Sequence, residues 1–442
     1  MPLIRSLTSG ASSLRTHQRK MEIISNNIAN VSTVGFKGAS VTFSDQFSQS
    51  INFGSQPNRT GLIGGRNPFQ IGLGVQVGSI RQDFSQGSIN STTSTTDVAL
   101  QGDGFFSLRY NGQDVVTRAG SFAFDSNGNF IDTATGAFVQ GYNMRTDANG
   151  KVIRDDIGEN VLDRVSTNLK LSPSFKSGPR QTQNVSFVGN LDIRAATGDV
   201  RTASIQIIDN QGTSRLLDLT FTKTATPGEY GLTGSISGFD IASLPGFGPI
   251  QFNADGTLGT PLNFSVPAAD LNTALGAGST AFDAVTPKDV TITLSSLTDA
   301  QSGLTQFAGA TTVTGREQDG YPNGNLARVQ IDPTGKILGS FDNGQTEILG
   351  QLVITKFPNS SGLVKNGNNF FAASPNSGAP TLGTALEIFP STSVIGSALE
   401  ESNVDLTEQF TEMISTQRAF EAAARTITVS DQFLQEINQL KR

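Results

Sequence analysis

Leu3, Leu7, Gly10, Leu14, His17, Met21, Ile24, Ile28 and Val31 follow one another at alternating steps of four and three. That spacing sets them all on one stripe of an α-helix. At the far end of the chain Leu406, Phe410, Met413, Gln417, Phe420, Ala424, Ile427, Asp431 and Leu434 repeat the alternation. Each seam needs a partner, and each is the natural mate of the other. Burying the N-terminal stripe alone does not offset the entropy of ordering the whole segment. The first helix is therefore expected to form as neighbouring copies cover it, with folding coupled to assembly.

The first helix is expected to end near Asn30, where Val31-Ser32-Thr33-Val34-Gly35 combines β-branched residues with a glycine suited to a helix stop. The second has a clear start: Asn403 and Asp405 are good N-caps, and Glu408 stands three residues beyond Asp405. Gln417 and Asp431 on its seam fit a helix that meets several neighbours or a wet channel.

Between the helices the signals are those of β-structure. Residues 36–96 read as an extended connector rich in Gly, Gln, Asn, Ser and Thr, and Phe43 and Phe47 within it read as an apolar pair on a local turn or helix face. From Asp97 short strands begin: Val98-Ala99-Leu100, Gly104-Phe105-Phe106-Ser107-Leu108, then Phe122-Ala123-Phe124. Turns of one form punctuate the chain at 125–128, 147–150, 253–256 and 332–335, each closing on the glycine that a tight turn favours. Asp125-x-Asn127-Gly128-Asn129 lacks the closing Glu of a calcium loop, so it reads as a turn.

The fold class expected is mainly β with long, paired, coiled-coil-like terminal α-helices. Residues 1–35 and 403–442 form the terminal helical domain, and 36–96 with 385–402 the connector. Residues 97–155 and 315–384 form a discontinuous inner β-domain, and 156–314 an inserted outer β-domain.

Composition narrows the function. The chain has 442 residues, enough for two to four domains. With 31 basic and 38 acidic residues and a net charge of −7, it lacks the basic footprint of a nucleic-acid binder. There is no cysteine, hence no disulfide, thiolate metal site or thiol nucleophile. No run approaches the roughly 20 apolar residues of a membrane span. Arg5, Arg15, Arg19 and Lys20 interrupt the apolar positions of the N-terminus, so neither membrane insertion nor a cleaved signal peptide is expected. His17 is the only histidine and lies on the seam, which rules out H-E-x-x-H and leaves a Ser-His-Asp triad no stable support. No enzyme, metal site or cofactor is expected.

The residues around the seams are more specific. Ser25-Asn26-Asn27-Ile28-Ala29-Asn30-Val31-Ser32-Thr33-Val34-Gly35-Phe36-Lys37 resembles the N-terminal signature of bacterial flagellar rod and hook proteins. Leu399-Glu400-Glu401-Ser402-Asn403-Val404-Asp405-Leu406, followed by Gln417-Arg418-Ala419-Phe420, resembles the matching C-terminal signature. Rod proteins have a much shorter middle. Here Gly189-Asn190-Leu191-Asp192, Asp209-Asn210-Gln211-Gly212, Asp319-Gly320-Tyr321 and Leu349-Gly350-Gln351 are similar to hook proteins.

The resemblance implies a subunit of a curved, hollow helical tube that joins rod to filament as a universal joint and carries exported protein. Leu3, Leu7, Leu14, Met21, Ile24, Ile28, Leu406, Phe410, Met413, Phe420, Ile427 and Leu434 would then lie at subunit interfaces. The implied partners are further copies of the chain, the distal rod, the hook cap, the hook–filament junction proteins and the type III export gate, which Phe43 and Phe47 would engage. Its place would be the hook and basal body of the flagellum, outside the cell membrane. Bending would concentrate in the glycine-bearing crossings near 36–96 and 385–402. The alternatives are a straight distal-rod subunit and, in another class, a secreted β-rich adhesin.

Overall fold

The computed structural model describes residues 2–56, 65–146, 152–153, 160–171, 175–241, 247–260, 263–276, 279–283, 289–295 and 303–440. It is mainly β, with a helix at each end, and divides into two compact units. The first holds residues 1–173, 329–339 and 347–442; the second holds 174–328 and 340–346. Three α-helices lie among the described residues: α1 (Pro2–Ala29), α2 (Ala268–Ala274) in the second unit, and α3 (Leu406–Leu440).

In the first unit α1 and α3 pack antiparallel. Ser6 Oγ lies 3.0 Å from Ser430 Oγ, Lys20 Nζ 2.6 Å from Glu412 Oε1, and Asn27 Nδ2 donates to Gln409 Oε1 at 2.9 Å. Gly10 sets the closeness of the pair, because a Cβ there would sit 3.0 Å from Ile427 Cγ1 and 3.1 Å from Thr426 Oγ1. The buried positions of the contact are therefore small or polar on α3, namely Thr416, Ala423 and Ser430, against Thr16, Ile24 and Asn27 on α1. Met413, Phe420, Ile427 and Leu434 flank this face half-buried, whereas Leu406 and Phe410 point away from it.

The stretch expected as a connector is a ladder of paired strands. Strand β1 (Ala39–Asp45) pairs antiparallel with β4 (Val75–Gln82), and β2 (Ser48–Asn52) with β3 (Phe69–Gly72), making a ribbon that leaves and returns to the end of α1. Phe43 thus sits on β1 and Phe47 on the link to β2, so the helix-face or turn reading of that pair is corrected. The ribbon is largely solvated on both faces and has no one-sided apolar alternation for a strand to announce itself by.

Beyond the ribbon the two halves of the chain zip together. Ile89–Ser91 pairs with Ala398–Glu400, and Val98–Gln101 with Ser393–Gly396. The β-wall that follows uses Phe105–Tyr110, Gln113–Thr117, Phe138–Asn143, Ile354–Lys356 and Phe370–Ala372. Its interior is phenylalanine-rich. Phe84, Phe105 and Phe371 meet with ring centroids 5.2 to 6.1 Å apart, and Phe106, Phe122 and Phe130 form a second group. At the 125–128 turn Asp125 Oδ1 accepts from the backbone N–H of Asn127 and Asn129, and Gly128 takes φ +80°. The 147–150 turn lies outside the described residues.

The second unit has its own core. A meander of Val200–Ile208, Ser214–Lys223, Glu229–Ile236, Pro249–Phe252 and Leu258–Thr260 packs with a smaller sheet built on Asn184–Asn190, around Phe187, Leu219, Phe221, Ile236 and Phe282.

Candidate functional site

Among the described residues no group of three or more His, Asp or Glu is placed to hold a metal, and no helix is long and apolar enough to cross a membrane. The chemistry of the molecule is concentrated instead where α1 ends and α3 begins. There the motif residues at the two ends of the sequence meet.

Asn27, buried near the end of α1, works as a two-sided clamp. Its Oδ1 accepts from Ala39 N at 3.0 Å and its Nδ2 donates to Ala39 O at 2.9 Å, pinning the first residue of β1. Its third bond, from Nδ2 to Gln409 Oε1, ties α3 to the same point. Asn30 and Asn26 close the helix end, with Asn30 Nδ2 donating to Asn26 O at 2.9 Å. Gly35 then turns the chain at φ +66°, its N–H bonded to Glu400 O at 2.8 Å, with so little room that a Cβ would meet Ala119 N at 2.4 Å. Phe36 is buried beneath the ammonium of Lys365, 4.3 Å from its ring centroid.

Lys37 follows and is fully enclosed. Its Nζ donates to Glu400 Oε1 and to Ser85 O, both at 2.6 Å. The other oxygen of Glu400 takes Arg118 Nη1 at 3.2 Å, and Gly87 N–H adds a further bond to Oε1 at 2.9 Å. Arg118 also reaches Gly102 O at 2.6 Å and lies over the Phe105 ring. One carboxylate therefore holds two buried cations. Burial pushes the Lys37 ammonium below the ordinary lysine value, and Glu400 acts against that shift. Burial likewise lowers Arg118. Lone buried charges are costly, so each member of this cluster depends on the others.

On the C-terminal side Asn403 Oδ1 accepts from Gly38 N at 2.9 Å while its Nδ2 donates to Asp83 O at 2.9 Å. Asn403 is thus a bridge, and Asp405 alone caps α3, accepting from Thr407 N at 2.7 Å and Glu408 N at 3.3 Å. Ser402 Oγ accepts from Val404 N. Gln417 and Arg418 stand exposed on α3, outside this junction. Within the stretches 36–96 and 385–402, where bending hinges are expected, residues 36–38, 83–87 and 400–402 are joined to one another by hydrogen bonds.

Two surfaces flank the junction. On α3, Phe410, Ile414 and Phe433 are 50%, 59% and 51% exposed, with Leu406, Val429 and Ile437 also open. On α1, Ile24 is buried while Leu7, Leu14, Met21 and Ile28 are half-buried; the side chain of Leu3 lies outside the described residues. Phe43 meets His17 edge-on at 5.4 Å, and Phe47 is 72% exposed. Glu400 and Arg118 were not singled out from sequence. Glu400 stands inside the C-terminal signature, but Arg118 gives no sequence signal because charged residues are ordinarily solvated.

The chain matches the family described as Flagella basal body rod protein over residues 7–37, and that described as Flagellar basal body rod FlgEFG protein C-terminal over 395–440. The Flagellar hook protein FlgE/F/G D1 domain matches 99–172, and the Flagellar basal body protein FlaE D2 domain 188–321. Flagellar hook protein FlgE of Treponema pallidum is 34% identical over all of both chains. That of Borreliella burgdorferi is 35% identical over 99% of this chain and all of its own, and that of Escherichia coli 31% over the same shares. With a junction built from both terminal signatures and relatives aligned from end to end, the chain belongs to the flagellar hook protein FlgE family.

Proposed function

We propose that this chain is the structural subunit of the bacterial flagellar hook, a helical homopolymer assembled through its terminal helices, and that it has no enzymatic role. The observation that carries the reading is the second apolar face of α3. One side of the helix is filled by α1, and Phe410, Ile414 and Phe433 outside that contact stay open to solvent. A helix apolar on both sides is complete only among neighbours. Leu3, Leu7, Leu14, Met21, Ile24, Ile28, Leu406, Phe410, Met413, Phe420, Ile427 and Leu434 then lie at or beside the contacts between and within subunits.

In this reading the helices surround a channel, the β-rich part of the first unit forms the inner β-domain and the second unit supplies the outer β-domain. The tube acts as a universal joint and export conduit between rod and filament. The polymer meets the distal rod at one end and the hook cap, then the hook–filament junction proteins, at the other. Phe43 and Phe47 engage the type III export gate. Phe43 packs on His17 in the folded chain, so that engagement belongs to a chain in which α1 has not yet folded back.

Electron microscopy of the purified protein before and after polymerisation tests this, beside a truncation lacking 1–31 and 405–442. Curved hollow tubes from the full chain and none from the truncation are expected. Straight rigid tubes would make it a distal-rod subunit. No polymer under any condition would leave a secreted β-rich protein.

A further inference from the structure

The first unit carries two grooves of opposite charge, one along the middle of α1 and one at its C-terminal end. One, of about 710 Å³, runs between the middle of α1 and β4 and is lined by Ser12, Arg15, Arg19, Glu22, Gln46 and Gln76. Two arginines there face a single carboxylate. The other, of about 340 Å³, lies where the end of α1 meets the first turn of α3, and holds Asp83, Asp405, Glu408 and Glu412 against Arg81. Within the subunit Glu412 is tied to Lys20, and Arg19 makes a 3.5 Å pair with Glu22 at the surface. Among the described residues Arg15 and Glu408 have no ion-pair partner in their own subunit. Arg15 in the first groove, and Glu408 with Asp83 in the second, are thus free to meet an opposite charge from outside.

We propose that the Arg15–Arg19 groove of one copy receives the Asp405–Glu408 start of α3 from a second copy. The inference rests on the homopolymer reading and adds the polarity of the contact. Because the two grooves are different surfaces of one molecule, the contact is head-to-tail. A head-to-tail contact whose rotation does not close repeats without end and builds an open helix. Opposite charge also aligns the copies on approach and opposes the reversed docking, which would set arginine against arginine. The occupant is a second copy because both complementary charged surfaces are carried by the same chain.

The experiment compares full-length wild type, R15E, E408R and an equimolar mixture of the two variants, each followed by sedimentation and electron microscopy at low and high salt. In R15E the altered groove meets a carboxylate, and in E408R an arginine meets an arginine. Each variant alone is expected to need an about tenfold higher concentration to polymerise. In the mixture the R15E groove takes the E408R copy, and the intact groove of E408R takes the intact α3 start of R15E. Polymerisation should then return to about the wild-type concentration, with strict alternation of the two variants, and the difference between variants should shrink at high salt. A mixture no better than either variant alone overturns the proposal, as do single variants that polymerise like wild type. Failure of the wild type itself to form tubes would instead remove the homopolymer reading.

Discussion

The ammonium of Lys37 and the carboxylate of Glu400, 363 residues apart in sequence, meet at 2.6 Å with both side chains closed to solvent. Arg118 completes the cluster on the other carboxylate oxygen. Removing one partner of a buried pair costs about 3 to 5 kcal/mol, because the remaining charge stays buried and unpaired. E400A leaves two cations unneutralised and should lie at the upper end, while K37M leaves Glu400 still held by Arg118 and should cost less. Urea unfolding of the two variants gives the order, and equal midpoints to wild type would contradict it.

Gly35 is required twice over, for its φ of +66° and for the 2.4 Å that separates a Cβ there from Ala119 N. Gly35→Ala should destabilise the chain by more than about 1 kcal/mol, the penalty of a left-handed conformation alone. Gly112, at φ +80° with open space around it, is the control. Its alanine variant should show the conformational cost only, so thermal melts of the pair separate strain from collision.

His17 is the chain's single histidine. Burial, and after it the neighbouring Lys20, hold its pKa below 6.5. Protonation is thus penalised in the folded state. The penalty is full below the folded pKa, fades as pH rises through it, and is absent above 6.5, so stability rises with pH across that window. H17Q should flatten this part of the profile. One histidine means one imidazole signal, and an NMR midpoint at or above 6.5 would refute the assignment.

The outer face of α3 predicts a separation of stability from assembly. Phe410→Ser with Phe433→Ser should leave the unfolding midpoint of the unpolymerised chain within about 0.5 kcal/mol of wild type, as for exposed sites generally. Tube formation should be lost. Tubes of normal appearance at the usual concentration would show that this face is not a subunit contact.

How far these features can be read from sequence follows from their physics. Both helix ends were legible, because apolar periodicity, a β-branched stop and the Asp405 cap are local signals. The contact face of α3 was only half legible. Pattern reading follows large apolar residues, yet Gly10 draws the helices so close that Thr416, Ala423 and Ser430 are what fit between them, and part of the large apolar set points outward. The ribbon was missed because strands solvated on both sides need no alternation. Arg118 was missed because nothing in a single sequence marks which arginine is enclosed.

The clamp at Glu400 also puts a clock into the molecule. Lys37 and Arg118 are synthesised first, and their counter-charge arrives only about forty residues before the chain finishes. A chain that stops short of it has an ammonium and a guanidinium and no counter-charge with which to bury them, so the first unit closes late or not at all. A fragment without Glu400 has to leave Lys37 and Arg118 in water, and the residues that enclose them in the full chain stay apart.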